Sequence, residues 1–268
     1  MNNTPASVDY LAFLEDLIEQ AGEIPLKYFR SEMVVTDKHG KGESFDPVTR
    51  ADRETEEFIR AGIAAEFPGH TIIGEEFGTT QGTDSLTWLI DPIDGTRGFI
   101  SGTPMWGVLA GLKQGGQCLA GAMRQPYTGE TWIGDGRTAH FISRQQRSRI
   151  TVREQVRLAE AIVCCTHPAM YPTNEAREKF MRVVAECRFS RYGTECLGYG
   201  MLACGYVDLV IEGGLSAYDI MPLIPIVEGA GGVITDWQGN AALNGGLIVA
   251  ATGKQLHEEV LEYLGSNM

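Results

Sequence analysis

Basic residues are scarce in this sequence. Its 22 Lys plus Arg stand against 35 Asp plus Glu, for a net charge of -13. Binding nucleic acid or an anionic membrane needs a compensating basic surface, so the balance argues against both. It leaves room for a small phosphorylated substrate, because a bound cation reverses a local field. Long apolar runs are missing too: no stretch approaches the roughly 18 residues that span a bilayer. The opening MNNTPASVDY has no basic region followed by an apolar one, unlike a signal peptide. Cysteine is sparse. The six at 118, 164, 165, 187, 196 and 204 form no CxxC pair and are too few for a disulfide scaffold. They read as small core residues of a reduced, cytoplasmic chain. The five histidines show neither ligand spacing nor a nucleophile arrangement, which predicts structural or solvent-facing roles.

What remains is a chain of 268 residues, 43% hydrophobic and 21% charged, enough for one large domain or two smaller ones. Val8, Leu11, Leu14, Leu17, Ile18, Ala21 and Ile24 recur at helical spacing, with Ser7 near the N-cap. Residues 51–67 read as a second helix ended by Pro68–Gly69. The polar segment between them, 37–45, reads as a loop over the site, its Lys38 and Lys41 either solvated or touching phosphate.

Strand signals follow at 71–73, 87–90, 106–112, 118–123 and 131–133, with turns suited to antiparallel connections. The basic run FISRQQRSRIT near 140–150 reads as a solvated linker or edge. The second half alternates strands at 161–165, 207–211, 233–235 and 247–251 with helices at 174–185, 196–203, 220–230 and 255–264. The pattern is a layered mixture of helices and sheets without a regular βαβ repeat.

The chemistry concentrates in WLIDPIDGTRGFISG, 88–102. Asp91 and Asp94 end an apolar strand, and the fixed dihedral of Pro92 lets the chain turn so both acids reach one rim. Gly95 and Thr96 follow with backbone N–H groups able to hold a phosphate. Hard oxygen ligands beside such a site suit Mg²⁺. Turn formation is the bland alternative. Two further acidic groups weigh against it: Glu75 and Glu76 follow a strand, and Asp219 precedes an apolar helix that it could equally cap.

Four stretches in order, DPVTRAD at 46–52, GEE at 74–76, DPIDGT at 91–96 and AYDIMPLIPIVEGAGG at 217–232, resemble the inositol monophosphatase family of metal-dependent phosphomonoesterases. The resemblance implies a mixed α/β fold, a layered αβαβα sandwich of the inositol monophosphatase and fructose-1,6-bisphosphatase type. It also implies two or three Mg²⁺ ions and a homodimer. It assigns metal binding to Glu75, Asp91, the Ile93 carbonyl, Asp94 and Asp219, and phosphate contact to the amides of Gly95 and Thr96. Thr96 would pair with Asp52 and, with Glu75, orient the attacking water. Most metal ligands then fall in an N-terminal subdomain over 1–145, and a C-terminal one over 146–268 completes the site.

Residues 188–219 and GTPMWGVLAGL at 102–112 resemble most closely the histidinol-phosphatase branch of that family, whose ester carries an amine and an imidazole. Glu195 and Glu212 match positions near the substrate, where two carboxylates would favour a cationic leaving group. Glu195 is open to a second reading as first-turn negative charge on the following helix. Arg191 would pair with one of these acids or with substrate phosphate. Inositol 1-phosphate and other sugar phosphates are the alternative substrates, and a non-catalytic regulatory or assembly module is a third possibility.

Overall fold

The computed structural model describes residues 9–32, 34–37, 47–144 and 146–265. Helix α1 (Tyr10–Leu26) buries Leu14, Leu17, Ile18 and Ala21 on one stripe. Asp9 caps it by accepting from the Ala12 amide at 3.1 Å. Ser7, expected near that cap, lies outside the described residues, as do Lys38 and Lys41. A short ribbon of β1 (Thr36–Asp37) and β2 (Pro47–Val48) leads into α2 (Arg50–Glu66).

An eight-stranded sheet comes next. It comprises β3 (Thr71–Gly74), β4 (Gly78–Thr80), β5 (Leu86–Asp94), β6 (Gly107–Gln114), β7 (Gln117–Gln125), β8 (Glu130–Gly134), β9 (Ala139–Ser143) and β10 (Gln146–Arg149). Its spatial order is β10-β9-β8-β7-β6-β5-β3-β4, and only β3 and β5 run parallel. Helix α3 (Thr96–Ile100) sits between β5 and β6. The basic run of the sequence is the outer edge: every residue of β10 is exposed. Charged side chains on an open edge discourage pairing with another chain.

The second sheet is made from β11 (Ile162–Cys165), β12 (Phe189–Tyr192), β13 (Leu209–Leu215), β14 (Val233–Asp236) and β15 (Gly246–Ala251), in the order β12-β11-β13-β15-β14. Between these strands run α4 (Asn174–Glu186), α5 (Leu197–Ala203), α6 (Ala217–Ile220) and α7 (Ile224–Gly229), and α8 (Lys254–Gly265) follows the last strand.

Three apolar clusters fix the layers. Helices α1 and α2 cover one face of the large sheet, with Leu14, Ile59, Trp88 and Val108 between them. Helices α5 and α7 lie between the sheets, where Leu109, Met123, Leu223 and Val210 meet. Helices α4 and α8 close the outside of the small sheet over Phe180, Leu209, Ile211 and Val260. The strand period of two sends Val108 and Leu109 into different clusters, as it does Leu209 and Val210. This is the αβαβα sandwich that the family resemblance implied.

The single helix expected over 220–230 is instead α6, a 3-10 turn at Met221–Leu223 and α7. Pro222 and Pro225 lack the N–H that a continuous helix interior requires, and each sits in the first turn of its own piece. The broken segment lies backbone-first on the large sheet. Gly111, Gly121 and Gly134 are register neighbours on β6, β7 and β8, and a Cβ on any of them would overlap the 221–226 backbone or the side chains of Met221 and Pro225. That row of glycines seats the chain immediately after Asp219.

Candidate metal centre

Asp91 and Asp94 reach the same side through a β-bulge. Asp91 faces Leu109 and Asp94 faces Gly107 across β6, so three steps on β5 answer two on its partner. In a regular strand these two side chains would point to opposite faces; the extra residue shifts the phase. Pro92 belongs at such a position because it has no ladder proton to offer. Asp91 Oδ1 accepts the Ile93 amide at 3.0 Å, holding the bulge closed.

Asp219 arrives from the other side of the cleft. It closes a capping box on α6, accepting the Ser216 amide at 2.7 Å. The cap and the candidate ligand are therefore one residue. Oxygens of Asp91, Asp94 and Asp219 lie within 4.8 Å of one another. Glu75 lines the same cavity. Its turn is shaped by Glu56, a buried residue of α2 that accepts the amides of Glu76 at 2.7 Å and Phe77 at 3.2 Å. Gly74 leaves no room for a Cβ beside that carboxylate. Nothing in the sequence reading singled out Glu56.

Burial drives the electrostatics. It pushes the carboxyls of Asp91 and Asp219 well above the usual range and raises that of Asp94, and the neighbouring acids, Glu75 among them, add to each. The Cys196 amide, 2.7 Å from Asp94 Oδ2, opposes this for Asp94. Like charges held this close are relieved by a shared proton or by a cation, and an all-carboxylate set is hard-ligand chemistry of the kind that suits Mg²⁺. The three acids can hold a divalent metal ion.

The Asp52–Thr96 pair expected from the sequence is not made among the described hydrogen bonds. Thr96 Oγ1 donates to the Ile93 carbonyl at 3.1 Å. Asp52 instead closes a capping box with Thr49, whose amide and hydroxyl approach Oδ2 at 2.8 and 2.5 Å. Its other oxygen, Oδ1, is buried and has no hydrogen-bond partner among the described residues. Burial pushes the Asp52 carboxyl up to about 6, against the pull of those Thr49 bonds. The Ile93 carbonyl keeps a second lone pair. Gly95 caps α3 in the left-handed region, with φ 86°, where a Cβ would press on the Met105 carbonyl and the Glu195 side chain.

Glu75, Asp91, Ile93, Asp94, Gly95, Thr96 and Asp219 line one cavity of about 500 Å³, which also takes in Arg97, Glu195, Glu212, Thr166 and Tyr199; Asp52 is not in its lining. Glu195 holds a left-handed backbone, φ 48°, rare for a residue with a Cβ. Its carboxylate meets Thr166 Oγ1, and its successor Cys196 is tied to Asp94. Glu212, fully inside β13, accepts the Thr166 amide at 2.7 Å. Burial raises the Glu195 carboxyl to about 7 and that of Glu212 to about 8. Arg191 is elsewhere. It is an exposed residue of edge strand β12, opposite Cys164, and does not line the cavity. Strand alternation beside a glycine turn gave no sign of this, since β12 carries too few apolar residues to announce itself. The described histidines stay in structural roles: His70 accepts from Trp88 at 2.9 Å, and His257 meets Thr235 at 2.8 Å.

The description of the inositol monophosphatase family fits residues 8–268. The chain belongs to the inositol monophosphatase family. It is 37% identical over 260 residues to the bifunctional phosphatase IMPL2 of Arabidopsis thaliana, covering 92% of this chain and 72% of that relative. It is 30% identical over 256 residues to the histidinol-phosphatase of Chlorobaculum parvum, covering 94% and 95% of the two chains. A solved inositol monophosphatase from Zymomonas mobilis superposes with a TM-score of 0.84 at 33% identity, over 96% of this chain and 98% of that one. With the acidic cluster, this makes the protein a metal-dependent phosphoric monoester hydrolase of the inositol monophosphatase superfamily. Among the described residues no helix is long and apolar enough to cross a membrane.

Proposed function

We propose that this hydrolase releases phosphate from L-histidinol phosphate, with Mg²⁺ as its metal. The observation that supports the substrate is the pair Glu195 and Glu212, both in the cavity that holds Asp91, Asp94 and Asp219. A half-buried and a buried carboxylate share one threonine hydroxyl, and an amine or imidazolium on the leaving group would add a charged donor to them.

In this reading Glu75, Asp91, the Ile93 carbonyl, Asp94 and Asp219 hold two or three Mg²⁺ ions. Bound there, the metal supplies Lewis-acid stabilisation of phosphoryl charge and lowers the pKa of water. The rest falls to the chain. The amides of Gly95 and Thr96 orient the phosphate. In the same reading Asp52, whose Oδ1 has no partner among the described residues, pairs with Thr96 in place of the Ile93 carbonyl, and with Glu75 they position the attacking water and take its proton. Glu195 and Glu212 grip the far end of the ester. The subdomains over 1–145 and 146–268 and a homodimer belong to the same proposal.

Inositol 1-phosphate is the second reading, and the solved structures that match lean toward it. The Zymomonas mobilis protein is an inositol monophosphatase. Carboxylates also bind hydroxyl groups, so the same pair could orient a polyol. The test compares kcat/KM for the two esters in Mg²⁺. A higher value for histidinol phosphate is expected; an equal or higher value for the inositol ester transfers the assignment to it.

A further inference from the structure

The turn that carries Glu75 is held by an ion pair on α2. Glu56 is fully buried, and its carboxylate accepts the amides of Glu76 at 2.7 Å and Phe77 at 3.2 Å. Arg60, one helical turn on, donates from Nε to the same carboxylate at 2.6 Å. The rest of its guanidinium reaches the far side of the turn, to Thr80 Oγ1 at 3.0 Å and to the Gly78 carbonyl. The amide of Glu75 itself goes to the Ile90 carbonyl of β5 at 3.3 Å. Three successive N–H groups and the carbonyl at 78 are thus committed, and Glu75 sits on a backbone fastened to α2 on one side and β5 on the other. Connecting turns are ordinarily among the more mobile parts of a fold. A buried ion pair adds little net stability. Apart from the bond between its own members, the side-chain bonds of this one among the described residues all go to residues 76–80.

We propose that Glu56 and Arg60 are a positioning pair for the metal centre, holding the Glu75 turn in place beside Asp91. The inference rests on the reading of Glu75 as a metal ligand. Strands β3 and β5 run parallel with Gly74 opposite Ile90, which brings the following residues, Glu75 and Asp91, out together at the end of the ladder. Carboxylates placed so repel one another. The turn is the side free to yield, because β4 beyond it is an exposed edge strand. Neither Glu56 nor Arg60 lines the cavity, so both act through the turn. Asp52, Glu56 and Arg60 recur at four-residue spacing. One stripe of α2 therefore carries both the acid proposed to orient water and the clamp on its proposed partner.

The test uses Arg60→Met, which removes the cation, and Arg60→Lys, which keeps a cation beside buried Glu56 but not the fork that reaches Thr80 and Gly78. Mg²⁺ affinity is read from the rise in melting temperature with Mg²⁺ concentration. It is read again from the Mg²⁺ dependence of turnover on whichever of histidinol phosphate and inositol 1-phosphate the native enzyme prefers. Half-saturating Mg²⁺ is expected to rise about tenfold in Arg60→Met, the scale for losing a group that orients a ligand. Arg60→Lys should show a smaller rise, and KM for the ester at saturating Mg²⁺ should change little in either. Arg153→Met, which breaks the ion pair to buried Asp208, is the control for lost stability alone: it should melt lower at unchanged Mg²⁺ affinity. Arg60→Met made in Glu75→Gln should add nothing to the affinity loss that Glu75→Gln causes by itself. Unchanged affinity in both Arg60 variants, an equal loss in Arg153→Met, or a full additional loss in the Glu75→Gln background would overturn the proposal. Should Glu75→Gln alone leave Mg²⁺ affinity unaltered, the ligand reading of Glu75 falls, and the role of the clamp falls with it.

Discussion

Glu195 and Glu212 reach for the same hydroxyl: Thr166 Oγ1 lies 3.1 Å from an oxygen of each. A hydroxyl has one proton to give, so it cannot satisfy two ionised carboxylates at once. Beyond the Thr166 amide that Glu212 also accepts, a proton of its own or further donors relieve the pair. In the proposed reading, the substrate supplies such donors.

Thr166→Val tests that arrangement. The Thr166 amide still reaches Glu212, but the shared hydroxyl is lost. The ratio of kcat/KM for histidinol phosphate to that for phenyl phosphate is expected to fall about tenfold, with Thr166→Ser restoring most of it. Steady-state kinetics on the two variants decides.

The pH dependence of stability should differ between metal-free and Mg²⁺-loaded protein. Folding raises the carboxyls of Asp52 to about 6, Glu195 to about 7 and Glu212 to about 8, and pushes those of Asp91 and Asp219 upward. A raised folded-state value stabilises the fold fully below the unfolded value, and that contribution is lost as pH climbs through the folded value. Metal-free protein should therefore melt at progressively lower temperature from about pH 4.5 to about pH 8. Because Mg²⁺ binds the ionised acids, the rise in melting temperature on adding it should grow over the same interval. Thermal melts in chelator and in Mg²⁺ across that range check both trends.

Gly121→Ala should disturb the centre without touching a ligand. Its methyl would overlap the Pro222 carbonyl oxygen, so the 221–226 segment must lift from the sheet. Overpacking of this kind costs about 1–3 kcal/mol. Asp219 lies only two residues before Met221, so a weaker apparent affinity for Mg²⁺ is expected beside the lower stability. Denaturant melts and a Mg²⁺ titration of activity separate the two effects.

Many of the elements were legible because their signals are local, while the order of the layers came from the family resemblance. The 3.6-residue stripe of α1 and the alternation in Val108–Leu109 each follow from residues within a few positions of one another. Asp91 and Asp94 were legible as a pair from Pro92, although they meet through a bulge inside the strand rather than a turn at its end. Short exposed elements were not legible. β4 and β12 have little apolar alternation, and their strand character comes from the neighbour each pairs with.

Partners distant in sequence were hidden for the same reason. Glu56 looks like one more acid on an amphipathic helix until β3 brings the Glu76 amide to it. Thr166 carries no motif at all; it matters because β11 and β13 are adjacent. The Asp52 and Thr96 side chains illustrate the opposite case, where motif positions are present but bonded to nearer partners, Thr49 and the Ile93 carbonyl.

The acidic cluster also orders events during synthesis. Asp91 and Asp94 leave the ribosome long before Asp219, and the bond from the Cys196 amide to Asp94 spans 102 positions. A nascent chain ending before Ala217 has a complete bulge and an incomplete cage. It lacks the third carboxylate of the cluster. Cation capture by all three acids therefore waits for Asp219, and a loaded site reports that the β5 bulge and the start of α6 have come together.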